Sequence, residues 1–72
     1  MISTTMATAL NEQIKWEMYS ANLYLGMSAY MQAAGLTGFA PWMRIQYQEE
    51  TAPALKLYDF LLARGGQVVM LP

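Results

Sequence analysis

The stretch ALNEQIKWEMYSANLYLGMSAYMQAAG, residues 9–35, decides the fold of this chain. Alternating spacings of four and three residues mark out one seam, formed by Leu10, Ile14, Glu17, Ala21, Tyr24, Ser28 and Met31. This periodicity predicts a helix over about residues 5–34, with Ser3-Thr4-Thr5 as candidate N-caps and Gly35 just past its end. So long a helix is stable in water only when it buries its apolar stripe on another element.

A second helical pattern covers about residues 38–64, with Thr37 as the predicted N-cap and Gly65-Gly66 as the stop. Its predicted seam consists of Phe39, Met43, Gln46, Glu50, Pro53, Leu57 and Phe60, and an adjoining row adds Trp42, Tyr47, Ala54 and Leu61. Pro41 suits a first turn, but Pro53 stands in the helix interior, where proline costs roughly 3 kcal/mol.

The two helical patterns are joined by the short segment AGLTG, which predicts an antiparallel hairpin. The tail QVVMLP after Gly66 is apolar and β-branched without polar alternation, so we expect an extended strap across a hydrophobic groove. The predicted fold is therefore all-α: a single two-helix hairpin over residues 1–72, half of a four-helix bundle, completed by self-association.

Composition narrows the classes of function. The 72 residues carry a formal net charge of −1, are 56% hydrophobic and include no cysteine or histidine. Without a basic stripe we expect no nucleic-acid partner. The start MISTTMATALNEQ lacks the features of a secretory signal, and the apolar stretch MYSANLYLGMSAYM is too short and too polar to cross a membrane. We expect a cytoplasmic protein whose modest core is stabilised by association or by a metal.

Each predicted helix carries a glutamate in the middle of its apolar seam, Glu17 in the first and Glu50 in the second. A buried carboxylate is costly unless a proton, a cation or a metal neutralises it. The alternative is that each glutamate lies at the edge of its stripe and reaches into solvent. The spacing leaves both interpretations open.

Five motifs follow one another along the chain: NEQI at 11–14, EMYSANLYL at 17–25, GFA at 38–40, QEE at 48–50 and RGGQVV at 64–69. Together they are similar to the N-terminal half of bacterial-type, non-haem ferritin, over essentially the whole sequence. The resemblance implies a four-helix bundle around a di-iron centre that oxidises Fe(II). It also implies that many subunits assemble into a hollow shell that stores the mineral.

The resemblance assigns roles to four residues. Glu17 matches the terminal iron ligand of the first helix, and Glu50 matches the glutamate that bridges the two irons. Glu49 matches a carboxylate used for a neighbouring third iron. Tyr24 matches a tyrosine near the centre that takes part in electron transfer, which gives it the catalytic role in this prediction.

Two departures from the family pattern bear on activity. The family has a histidine three residues after the bridging glutamate, where this chain has Pro53, which cannot bind a metal. The third and fourth helices, with their carboxylates, lie outside these 72 residues.

Three hypotheses follow. A two-fold dimer would bring together two copies of Glu17 and Glu50 for iron oxidation and storage. A non-catalytic assembly would keep the packing faces and lose the site. The third hypothesis is that the chain is one piece of a longer ferritin. Because all four matched residues are retained, we favour the first.

Overall fold

The computed structural model describes residues 2–72, which form two long helices packed side by side. Helix α1 spans Thr4–Ala33 and helix α2 spans Ala40–Ala63. The molecule measures 50 × 19 × 11 Å, so it is only one helix thick. The predicted all-α hairpin with an extended tail is confirmed. Within residues 2–72, neither helix offers an apolar stretch that would span a bilayer.

Both ends of α1 are capped by local hydrogen bonds. The Ser3 hydroxyl accepts a hydrogen bond from the Met6 N–H at 3.1 Å, which satisfies one free donor of the first turn. At the other end, Gly35 has a φ of 79°, and the Leu36 N–H donates to the Met31 carbonyl at 2.8 Å. This is a Schellman motif, and glycine supplies its left-handed residue without steric cost.

Helix α2 begins later than the sequence predicts, and Thr37 as its N-cap is wrong. Residues 37–39 instead form a turn closed by the Phe39 N–H on the Leu36 carbonyl at 3.1 Å, and Phe39 takes the cap position without a side-chain bond. Pro41 lies in the first turn, where its missing N–H costs little. The helix ends in a second Schellman motif, in which Gly65 has a φ of 77°.

The interface between the helices is narrow and is lined by small residues. The buried apolar side chains are Ile14, Ala21, Ala40, Ala54 and Leu61. All seven predicted seam residues of α1 are buried or half-buried. Three of the five buried apolar residues are alanines, and small side chains allow two helix backbones to pack closely.

The predicted seam of α2 is partly wrong. Phe39, Pro53 and Phe60 are exposed, whereas Ala54 and Leu61 from the adjoining row are buried. The helix is therefore rotated from the predicted register, and α2 remains helical on both sides of Pro53. The exposed residues Phe39, Pro53 and Phe60 lie to one side of the helix–helix interface instead of within it.

The tail lies in extended conformation beside α1. The side chain of Asn11, only 7% exposed, bonds to the backbone of Gln67 and Val69. The turn that leads into the tail is tightly packed, because a Cβ atom at Gly66 would collide with the Leu61 side chain. The Ile2 N–H donates to the Arg64 carbonyl at 3.0 Å and closes the same corner.

Candidate metal centre

The candidate centre is built on one glutamate from each helix. Glu17 lies near the middle of α1 and Glu50 near the middle of α2, and both side chains are half-buried. The two side chains face each other across the interface closely enough for Glu17 to change the pKa of Glu50. The antiparallel packing of the hairpin thus places two acidic oxygen donors side by side.

The electrostatics of the pair disfavour two negative charges. Partial burial raises the pKa of Glu50 above its ordinary value, and the hydrogen bond and charge of Glu17 raise it further, followed by the charge of Glu49. A carboxyl group whose pKa is raised in this way binds a proton or a cation more readily than an isolated one.

Among residues 2–72, no basic side chain forms an ion pair with Glu17 or Glu50. Within the described part of the chain, the one ion pair closer than 4 Å joins Lys15 to Glu12 at 2.9 Å, and it involves neither Glu17 nor Glu50. Arg44 lies in a different groove, lined in part by Gln32 and Tyr47. The carboxylates are therefore left to protons, solvent or a metal ion.

Gln13 is a part of the site that the sequence interpretation missed. Its side-chain amide donates to Oε1 of Glu17 at 3.0 Å. The signal was available, because residues four apart on a helix lie on the same face. This bond orients the Glu17 carboxylate and leaves its second oxygen for another partner.

The other two predicted residues lie further from the pair. Glu49 is exposed, and its charge acts on Glu50. Tyr24 is half-buried and follows Glu17 by seven residues on the same face of α1, a rise of about 10 Å. Pro53, one turn beyond Glu50, is exposed and supplies no ligand atom.

The donor set of the isolated hairpin is incomplete. Among residues 2–72, no three histidine, cysteine, aspartate or glutamate side chains come together closely enough to hold a metal ion. Carboxylate oxygens suit hard divalent ions, but such ions take about six ligands. The hairpin therefore brings together two carboxylates but not a complete set of metal ligands.

Comparison with known proteins gives a consistent result. The ferritin-like domain family matches residues 7–72. The bacterial non-heme ferritin of Bacteroides fragilis is 50% identical over 66 residues, which are 92% of this chain and 42% of that protein. The bacterial non-heme ferritin of Staphylococcus epidermidis is 34% identical over 70 residues, again 42% of its length.

Solved structures agree with the sequence relatives. An open-pore ferritin from the archaeon Archaeoglobus fulgidus superimposes with a TM-score of 0.92 at 50% identity. A humanized archaeal ferritin gives a TM-score of 0.93 at 49% identity. In both cases the match covers 100% of this chain and 44% of the other. The chain thus spans less than half the length of the relatives it matches, and over that span it belongs to the ferritin-like domain family.

Proposed function

We propose that this chain is an iron-binding protein of the ferritin type, in which Glu17 and Glu50 hold divalent iron as the substrate to be oxidised and stored. The observation that carries the proposal is the pair of half-buried carboxyl groups that face each other without a cation. Such a pair lowers the stability of the metal-free hairpin, and a divalent ion reverses that effect.

A second hairpin completes the site in this proposal. Besides the two glutamates, the open face carries exposed apolar side chains, and Met6 and Phe60 line one shallow hollow on it. A second copy of the chain, packed by two-fold symmetry on this face, would bury these side chains and supply a second Glu17 and Glu50. Two divalent ions balance the charge of four carboxylates.

The residues have distinct roles in the proposed centre. Glu17 and Glu50 bind the iron directly, and Gln13 keeps the Glu17 carboxylate oriented. Glu49, exposed beside the pair, receives a further ion on its way to or from the centre. Tyr24 donates an electron during oxidation by O2, a role that rests on the resemblance to ferritins. Bound iron supplies the redox chemistry, and the protein supplies binding and charge balance.

Because of Pro53, the proposal gives iron binding priority over catalysis. A side chain one turn after Glu50 would lie on the same helical face as the glutamate. Proline there has no donor atom, so the centre depends on oxygen ligands alone. Binding of Fe(II) is accordingly the primary function, and oxidation by O2 follows from it. The absence of cysteine from the chain and the bacterial relatives fit a cytoplasmic setting.

The proposal is tested by the initial rate of Fe(III) formation after Fe(II) is added in air. We expect the initial rate with the wild type to exceed the rate in buffer. In Glu50→Gln this excess rate should fall at least about tenfold, as it does when groups that support a metal site are removed. Glu12→Gln is the matched control, because Glu12 is an exposed glutamate of α1 that pairs with Lys15. A wild-type rate equal to that of buffer, or equal losses in the two variants, would contradict the proposal.

A further inference from the structure

The contact between α1 and the tail has an unusual chemical form. Both N–H groups of the Asn11 carboxamide are used: one side-chain bond reaches the Ala7 carbonyl at 3.1 Å and the other reaches the Gln67 carbonyl at 2.9 Å. The Asn11 carbonyl oxygen accepts a hydrogen bond from the Val69 N–H at 2.8 Å. Because one tail partner is an acceptor and the other a donor, the orientation of the amide is unambiguous.

These bonds follow the pattern of a β-ladder. In an extended chain, the carbonyl of residue 67 and the N–H of residue 69 point to the same side and frame residue 68. A neighbouring parallel strand would satisfy both with the N–H and the carbonyl of one residue. Here the Asn11 carboxamide takes the place of those two backbone groups, so a helix side chain recognises the backbone of an extended segment.

Only backbone atoms of the tail take part in this recognition. Among residues 2–72, the hydrogen bonds from residues 67–72 to the helices all end on Asn11. The remaining attachment is apolar, through the half-buried Val68 and Leu71. The docked state of the tail therefore depends on one buried amide together with a small apolar contact.

The tail covers an apolar groove when it is docked. Residues 70–72 and α1 line an open groove of about 460 Å³, whose helix wall includes Ile14, Met18, Trp16 and Tyr19. Ile14 is only 3% exposed. Trp16 and Tyr19 are each 54% exposed with the tail in place, so release of the tail would act chiefly by leaving the buried Asn11 amide without its tail partners.

We propose that Asn11 is a latch that holds residues 67–72 as a strap over the groove, and that the strap opens and closes as a unit. The latch recognises an extended backbone and not particular side chains. It lies about 120° around α1 from Glu17, since the two residues are six positions apart. The latch therefore works independently of the carboxylate pair and of the function proposed for it.

Two pairs of variants test the latch. Asn11→Asp removes both amide donors, and Asn22→Asp makes the same chemical change at an exposed residue on the rim of the same groove. Val69→Pro removes the N–H that Asn11 accepts, and Met70→Pro removes an N–H from the next tail residue, which makes no such bond. The second pair leaves both helices unchanged, so it remains informative if Asn11→Asp fails to fold.

Strap opening is measured by trypsin cleavage after Arg64, which is the one basic residue of the described part of the chain, residues 2–72, that lies outside the helices. We expect cleavage to rise about tenfold in Asn11→Asp and Val69→Pro, with less than about a twofold change in the two controls. Equal cleavage within each pair would overturn the latch.

Discussion

Two polar groups interrupt the apolar surfaces of this hairpin, and they differ in how they are satisfied. Asn11 is 7% exposed, and its donors and its acceptor are all hydrogen-bonded. Glu50 is half-buried beside two other carboxylates, and its pKa is raised. A satisfied buried amide stabilises a structure, whereas crowded carboxylates stabilise it only with a proton or a cation present.

The same contrast separates two sides of the molecule. On the Asn11 side, the tail covers the groove, and Leu61 and Gly66 close the corner. On the Glu50 side nothing within residues 2–72 covers the helices, and Phe39 and Phe60 stay exposed. The first side carries the hydrogen-bonded tail, and the second is the surface on which the proposed partner and ion would bind.

Truncation of the packed corner should produce the largest effect on stability. Leu61 is fully buried, so Leu61→Ala should lower the free energy of unfolding by about 2–5 kcal/mol through lost contacts and a cavity. Leu62→Ala is the matched control, because Leu62 is 49% exposed and its loss should cost less than about 0.5 kcal/mol. Denaturant titration of both variants measures the difference. Equal costs would mean that the corner is not a packed core.

Removal of the Glu50 charge should have a smaller effect on stability than Leu61→Ala, and an effect of opposite sign. The raised pKa of Glu50 means that its stabilising contribution is present below the ordinary glutamate value of 4.5 and is lost as the pH rises through the raised pKa. Metal-free Glu50→Gln should therefore melt above the wild type at neutral pH, and this advantage should disappear below about pH 4.5.

The control for this pH profile is Glu49→Gln, which removes the neighbouring, exposed carboxylate. Its charge contributes least to the raised pKa of Glu50, so its melting temperature should show a weaker pH-dependent gain. Melting temperatures of the wild type and both variants, measured at several pH values across the acidic range, test this prediction. A difference between Glu50→Gln and wild type that does not change with pH would show that Glu50 titrates normally in the folded protein.

The sequence predicted the buried face of α1 better than that of α2. In α1, the predicted seam follows one continuous alternation of four- and three-residue spacings, and all seven of its residues are buried or half-buried. In α2, two rows are apolar, so hydrophobicity did not decide between Pro53 and Ala54, or between Phe60 and Leu61. The packing of the two helices at Ala54 and Leu61 decided which row is buried, and Pro53 and Phe60 remained exposed.

The two polar features differ in the same way. The meeting of Glu17 and Glu50 was foreseeable, since each interrupts a helical stripe near its middle. The role of Asn11 was not, because its partners lie 56 and 58 residues away in a tail with no periodic signal. Side-chain hydrogen bonds to distant backbone leave no local pattern, whereas helix caps such as Ser3 and Gly35 do.

The most direct test of the central claim is the native mass of the protein after anaerobic loading with Fe(II). If the open carboxylate side is half of a metal centre, the spectrum should show paired chains, or multiples of pairs, with two iron ions per pair. The Glu17→Gln, Glu50→Gln double variant should lose the iron. Assemblies that carry no iron, or single chains that bind none, would contradict the account.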